Sequence, residues 1–220
     1  MKNMRKIIDR TYGAIGWNVL RTVFILSFFH SFILLVSCSE DESAAEEFDN
    51  WQERNDAATA QWAANSSLRK IRVYTQNEGA PGSNSDYIYV EELTSGLEKG
   101  SESPISTDTA CVAYRGRLIP SATYSQGYVF DQSYIGDFNP ATMGTATFKV
   151  GGTRPGFATA LQNMKKGERW RVYVPYAQMY GSTSDTGFPA YSNMIFDIVL
   201  VDFWHPGEKH PAFKAKKTDN

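Results

Sequence analysis

Apolar and polar residues alternate with a period of two in several segments of the second half of the chain. In the segment 109–119, apolar or small residues occupy every second position from Val112 to Leu118, and Arg115 and Arg117 lie between them. This alternation is typical of a β-strand with one buried face. Further strands are predicted at 71–75, 87–90, 128–132, 145–150, 169–174 and 193–203.

Two segments have the pattern of an α-helix instead. After Pro155, which suits the first turn of a helix, apolar residues recur at i, i+3, i+4 and i+7 from Phe157, and Gly167 ends the pattern. Residues 48–68 contain no Gly or Pro and are rich in Ala, so they are also predicted to be helical. Trp51, Ala58, Trp62 and Ala63 lie near one face, and the two tryptophans are expected to pack this helix against the following domain; a partner-binding helix is the alternative. The chain is therefore predicted to be α+β, with an antiparallel sheet wrapped around one short helix and preceded by an N-terminal helix.

The first 38 residues differ in composition from the rest of the chain. Basic residues extend to Arg21, and residues 22–36 are almost wholly apolar. This run is short for a membrane span, which needs about 20 residues, and suits a signal peptide. It ends in Leu35-Val36-Ser37-Cys38, which resembles the lipobox of bacterial lipoproteins. We predict a signal peptide over 1–37 and lipidation of Cys38; an uncleaved membrane anchor with an incidental cysteine is the alternative.

An acidic segment, residues 38–47, is predicted to be a tether. Its Ser39-Glu40-Asp41-Glu42 cluster resembles the surface-export signal of Bacteroidetes lipoproteins, and an ordinary solvated tether is the alternative. Removing residues 1–37, with five basic and one acidic side chain, changes the net charge from −2 to −6. A chain of this charge without a basic footprint is not expected to bind nucleic acid.

The cysteines and histidines offer little catalytic chemistry. If Cys38 is lipidated, Cys111 has no intramolecular disulfide partner, and its place in a predicted strand favours a buried structural thiol over a reactive one. The histidines, His30, His205 and His210, are scattered, and no His/Cys cluster has metal-ligand spacing. We expect neither a metal nor a cofactor.

Six segments of the second half of the chain, taken in order, form a recognisable set. They are VAYRGRL at 112–118, FDQS at 130–133, FKVG at 148–151, GFATALQNMKKGE at 156–168, VPYAQMYG at 174–181 and FPAYSNMIFDIVL at 188–200. In this order they resemble motifs of the FKBP-type peptidyl-prolyl isomerase family, whose patterns are V-x-Y-x-G-x-L, F-D-S-S, F-x-L-G, G-W-x-x-A-L-x-x-M-x-x-G-E, I-P…Y-G and I-P…L-x-F-D-V-E-L. The resemblance implies an FKBP-like half-barrel over 86–204. A helical extension and loop at 48–85 would precede it, and a tail at 205–220 would follow.

The resemblance also implies an apolar pocket for a proline ring. Phe157 would form its floor, Tyr180 would donate a hydrogen bond to a substrate carbonyl, and Phe148 is expected to belong to the core. The remaining predicted pocket residues are Tyr114, Phe130 and Phe196 as walls, Asp131 as the polar group at the rim, and Phe188 closing one side.

Such a pocket has a direct chemical use. Rotation about an X–Pro bond faces a barrier of roughly 18–20 kcal/mol because amide resonance must be broken. Water favours the charge-separated planar amide, so an apolar pocket favours the twisted form without a nucleophile or a metal. The resemblance predicts a monomeric isomerase that assists the folding of exported, proline-containing polypeptides. It would be anchored in the cell envelope as an outer membrane lipoprotein, with surface exposure as a further possibility.

The sequence departs from the family pattern around the predicted floor. The usual Trp is replaced by Phe157, which offers less apolar area. Residues 151–156 form a segment about two residues shorter than the common pattern, without the V-I pair whose backbone N–H holds the substrate. Because Pro155 has no N–H, Arg154 or Thr153 would have to supply that contact. These changes predict weak or altered activity.

Two other functions remain open from the sequence. The departures favour a binding module that grips proline-containing or unfolded segments with negligible turnover. The acidic tether, together with exposed aromatic residues such as Trp51 and Trp62, suggests a structural or glycan-handling surface component.

Overall fold

Seven antiparallel strands and two α-helices make up the regular structure of the part of the chain that the computed structural model describes, residues 47–77, 79 and 81–208. The predicted signal peptide, Cys38 and nearly all of the acidic tether lie outside the described residues. The elements are α1 (Trp51–Ala64), β1 (Arg69–Arg72), β2 (Tyr87–Leu93), β3 (Thr109–Leu118), β4 (Val129–Gln132), β5 (Ala146–Lys149), α2 (Pro155–Asn163), β6 (Arg169–Val174) and β7 (Met194–Trp204). The α+β class predicted from the sequence is confirmed.

The strands follow the order β1-β2-β6-β7-β3-β4. Strand β3 is the centre of the arrangement, because it pairs with β7 along its whole length on one side. On its other side it pairs with β5 through residues 109–112 and with β4 through residues 115–117. Its register shifts after Cys111 and after Gly116. Such irregularities bend a strand and increase its local twist.

Helix α2 packs against the sheet through the apolar stripe predicted from the sequence. Phe157, Ala160, Leu161 and Met164 are all buried, in one cluster with apolar residues of β3, β6 and β7. Full burial of each large apolar side chain contributes roughly 1.5–3 kcal/mol. The helix begins at Pro155, as predicted, since its missing N–H would have no intrahelical partner there.

Helix α1 is shorter than predicted, and two polar residues are buried on it beside the predicted tryptophans. Its buried residues are Trp51, Asn55 and Thr59, and Trp62 packs on Tyr173 at 5.3 Å between ring centroids. Only 6% of Trp51 is exposed. Both rings pack on the sheet domain, as predicted, so the glycan-handling hypothesis loses the exposed tryptophans that supported it.

The sheet extends N-terminally of the boundary expected at Asp86, since β1 pairs with β2. Cys111 in β3 is buried, and burial raises the pKa of its thiol. Neither of the two helices in the described part of the chain has the length and apolar character that crossing a membrane requires.

A buried carboxylate joins the end of β7 to the turn before β3. Asp108 is fully buried, and its carboxylate accepts hydrogen bonds from the Ile105 N–H at 2.9 Å and pairs with His205 Nδ1 at 2.9 Å. This hydrogen bond is the main reason that the pKa of His205 is raised, and the charge of Asp108 adds to the effect. Glu102 and Glu208 act in the same direction.

We expect the stabilisation from this pair to decrease with rising pH. A histidine whose pKa is raised by folding contributes its full stabilisation below its unfolded pKa of about 6.5, and the contribution is lost as the pH rises through the raised value. The Tm difference between the parent and His205→Gln should therefore be largest near pH 6 and shrink toward pH 9. Thermal unfolding at several pH values checks this, and a difference independent of pH would contradict it.

Candidate active site

A cleft of about 440 Å³ opens between β3, β4, β5, the start of α2 and the segment that follows β6. Its lining combines aromatic side chains from six separate parts of the chain with residues 152–155. The structure brings together all six residues predicted as catalytic, and Arg154 with them: Tyr114, Phe130, Asp131, Phe157, Tyr180 and Phe196 all line the cleft.

Phe157, the predicted floor, lines the cleft from the first turn of α2. Its ring makes edge-to-face contacts with Phe196, at 5.1 Å between centroids, and with Tyr114, at 6.2 Å. It is 6% exposed. Edge-to-face packing on two sides holds the ring in one orientation, so the cleft has a preformed apolar floor.

Phe148, expected to be core, is a wall of this cleft. Its ring centroid lies 5.6 Å from Tyr114 and 6.0 Å from Phe157. Phe148 does pack against the core, as expected, but the alternation of β5 could not predict that it also borders the cleft. Here β5 ends at the next residue, and Phe148 borders open space. Met179, in the segment after β6, is a second lining residue that the sequence analysis missed.

The polar group at the rim is a tyrosine–aspartate pair. Tyr114 in β3 donates a hydrogen bond from its hydroxyl to Asp131 Oδ2 in β4, at 2.6 Å. Burial raises the pKa of Tyr114, and the hydrogen bond and negative charge of Asp131 raise it further. The phenol therefore stays protonated, and Asp131 orients it across one side of the cleft.

Tyr180 is held between an arginine and an aromatic ring. The Arg154 guanidinium lies 4.2 Å from the centroid of the Tyr180 ring, and Phe188 packs on the same ring at 4.8 Å. The hydroxyl of Tyr180 makes no hydrogen bond with any described residue. Phe188 also contacts Phe130, at 5.7 Å, and so supports two lining residues from behind rather than lining the cavity.

Comparison with known proteins relates part of the chain to one family. Residues 100–201 match the family model of the FKBP-type peptidyl-prolyl cis-trans isomerases. The FKBP-type peptidyl-prolyl cis-trans isomerase FkpA of Escherichia coli K12 is 31% identical over 152 residues, which cover 67% of this chain and 49% of that protein. Residues 100–201 form a domain of the FKBP-type peptidyl-prolyl cis-trans isomerase family.

Other relatives agree with this assignment. The outer membrane protein MIP of Legionella longbeachae is 37% identical over 100 residues, which cover 44% of this chain and 37% of that protein. A crystal structure of a peptidyl-prolyl cis-trans isomerase from Pseudomonas syringae pv. tomato shares the fold, with a TM-score of 0.50 and 24% identity over 71% of this chain and 95% of that one. The chain spans about half the length of the first curated relatives it matches.

In the shortened segment 151–156, one backbone N–H is left without a hydrogen-bond partner among the described residues and could bind a ligand. The Thr153 N–H donates to the Val150 carbonyl at 3.2 Å, and the Thr153 hydroxyl donates to the same oxygen at 2.8 Å. The Arg154 N–H makes no hydrogen bond with a described residue, and Pro155 has no N–H. Of the two donors considered from the sequence, Arg154 is therefore the one left for a ligand. In the described residues, no group of three or more His, Cys, Asp or Glu side chains could hold a metal ion.

Proposed function

We propose that this protein is a peptidyl-prolyl cis–trans isomerase whose FKBP-type domain rotates X–Pro bonds in the cleft above Phe157. The observation that carries the proposal is the group of aromatic rings around that floor. Phe157 contacts the rings of Tyr114, Phe148 and Phe196. A proline ring placed there would exclude water from its own imide bond. Loss of water weakens the charge-separated planar amide and lowers the free energy of the twisted state relative to it.

Two residues that line the cleft have hydrogen-bond donors without partners among the described residues. The Tyr180 hydroxyl would donate to one substrate carbonyl, and the Arg154 N–H would donate to another. The Arg154 side chain, stacked on Tyr180, would contact the residues next to the proline. The Tyr114–Asp131 pair would limit the depth to which the substrate enters.

The test is a rate measurement on an Xaa-Pro peptide with the full chain, by NMR exchange or by a protease-coupled assay. Acceleration of cis–trans exchange that disappears when a family macrolide inhibitor is added supports the proposal. A rate equal to the uncatalysed one, with a folded protein at high concentration, rejects it.

A binding module with negligible turnover is the second candidate. It is favoured by the loss of donors at the rim, since Pro155 has no N–H and the Thr153 N–H is already bonded to Val150. The smaller floor offered by Phe157 acts in the same direction. In the same NMR experiment, a binding module would shift or broaden the peptide resonances without accelerating exchange.

We also infer that the protein works in the cell envelope on exported, proline-containing clients, as a monomer held at the outer membrane by a lipid on Cys38. A relative that carries the words outer membrane protein in its name supports this placement, together with the Leu35-Val36-Ser37-Cys38 sequence. Export to the cell surface through the acidic residues after Cys38 belongs to the same proposal.

The lipid anchor predicts a specific mature mass. Intact mass spectrometry of the protein from a host with lipoprotein-processing enzymes should give an acylated chain that begins at Cys38, and Cys38→Ala should remain unacylated. A mature protein that retains residues 1–37 would contradict lipidation and support the uncleaved anchor.

A further inference from the structure

The segment between β6 and β7, residues 175–193, is far longer than the connection of roughly 4–6 residues that is usual in compact domains. Its regular structure is one turn of 3-10 helix at Tyr176–Gln178. It nevertheless carries Met179 and Tyr180, which line the cleft, and Phe188, which supports Tyr180. Side chains in a long irregular segment keep a defined position only if other parts of the structure hold that segment.

Asn193 closes this segment into a loop. Its side-chain Oδ1 accepts the N–H of Tyr176 at 2.8 Å, so the two ends of the segment are joined. A second link crosses the middle of the loop, where the Tyr191 N–H donates to the Gly181 carbonyl at 2.9 Å. Asn193 is fully buried.

Helix α1 holds the closed loop from outside. Asn55 Oδ1 accepts the backbone N–H of Asn193 at 2.8 Å, and Asn193 Nδ2 donates to the Asn55 carbonyl at 2.6 Å and to Thr59 Oγ1 at 3.0 Å. These groups lie on the buried face of α1. Burying polar groups costs free energy unless they are hydrogen-bonded, so these bonds fix the position of Asn193 relative to α1.

A second contact reaches closer to the cleft. Trp51 Nε1 donates to Ser192 Oγ at 2.8 Å, and Ser192 Oγ donates to the Pro189 carbonyl at 2.7 Å. Pro189 directly follows Phe188, whose ring packs on Tyr180 and Phe130. Two successive hydrogen bonds therefore link α1 to Pro189, the residue next to Phe188.

We propose that α1 is a positioning element for the active site, in which Trp51, Asn55 and Thr59 hold the 175–193 loop so that Tyr180 and Phe188 face the cleft. Helix α1 lies outside residues 100–201, the range that matches the family model. Its effect on catalysis rests on the proposed function, whereas its effect on the loop does not.

Thr59 provides the sharpest test. Thr59→Val keeps the volume and removes the hydroxyl, which accepts from Asn193 and donates to the Asn55 carbonyl, and Thr59→Ser keeps the hydroxyl. In the full chain, Thr59→Val is expected to raise amide hydrogen exchange across residues 186–193. It is also expected to raise KM for an Xaa-Pro peptide roughly threefold to tenfold, because the link from α1 to Asn193 loses a buried hydrogen bond. The value of kcat should stay within about twofold, because a loosened wall weakens binding of the planar and the twisted substrate alike. Thr59→Ser should restore both readouts.

Thr142→Val, on an exposed loop, is the matched control and should leave KM and exchange at 186–193 unchanged. If Thr59→Val fails to fold, Trp51→Phe removes the N–H that Ser192 accepts, together with part of the buried ring, and is expected to have the same effects. Parent-like exchange at 186–193 and parent-like KM in a folded Thr59→Val or Trp51→Phe protein would overturn the proposal. If the parent itself does not accelerate isomerisation, amide hydrogen exchange at 186–193 and the Kd for the peptide are measured instead of KM. Failure of the proposed isomerase function is thereby distinguished from failure of the positioning role of α1.

Discussion

Replacing Gly116 by alanine is expected to remove most of the isomerase activity. Gly116 lies in β3 directly beneath two walls of the cleft. A Cβ atom at this position would lie 2.7 Å from Phe130 Cζ and 2.7 Å from Phe196 Cε1. Neither ring can move away freely, because Phe196 packs on Phe157 at 5.1 Å and on Phe130 at 5.8 Å. The added methyl group must therefore push both rings toward the cleft or separate β3 from its neighbours.

We expect kcat/KM of Gly116→Ala to fall by at least about tenfold, since catalysis depends on a close fit around the proline. Overpacking of this kind typically lowers the free energy of unfolding by about 1–3 kcal/mol. Peptide assays well below the unfolding temperature, together with urea denaturation, separate the two effects. Gly79→Ala is the control, since its Cβ would meet its nearest neighbour at an ordinary 3.6 Å. A folded Gly116→Ala protein with parental activity would show that the walls do not set the rate.

Tyr180→Phe is expected to lower activity without changing stability. The Tyr180 ring keeps its contacts with Phe188 and Arg154 in this variant, because only the hydroxyl is removed. Since that hydroxyl has no hydrogen-bond partner among the described residues, the free energy of unfolding should change by less than about 0.5 kcal/mol. Loss of one hydrogen bond to the substrate costs about 1 kcal/mol, which corresponds to roughly a fivefold decrease in kcat/KM.

The control for this prediction is Tyr124→Phe, a tyrosine that is 42% exposed and packs on Tyr128 outside the cleft. It should match the parent in both activity and stability. If Tyr180→Phe also retains parental kcat/KM, the hydroxyl does not contact the substrate in the rate-limiting state, and the role that the family resemblance implies for it is wrong.

The type and order of most elements follow from the sequence because side-chain periodicity is a local property. Strand β6 begins and ends where its alternation does, at Arg169–Val174. Helix α2 begins at Pro155, the first-turn proline from which it was predicted. In each case the residues that determine the element lie within it.

Helix α1 shows where local patterns stop being informative. Its composition predicts a helix, but an apolar periodicity cannot predict that Asn55 and Thr59 form the buried face. Those side chains are buried because Asn193, far away in sequence, supplies their hydrogen bonds. The partner of a buried polar group is set by tertiary contacts, so no pattern within residues 48–68 specifies it.

The sequence by itself determined the α+β class, the family resemblance and five of the six aromatic residues that line the cleft. Only the tertiary structure decided that Phe148 borders the cleft and that Arg154 rather than Thr153 has an available N–H. Both depend on the space and the hydrogen-bond partners beside a residue. Strand order sets that space, because β3 lies between β7 and β4 and so brings Phe196 and Asp131 to either side of Gly116. Contacts between residues distant in sequence form only in the folded chain, and these contacts bring the aromatic residues together around one cleft.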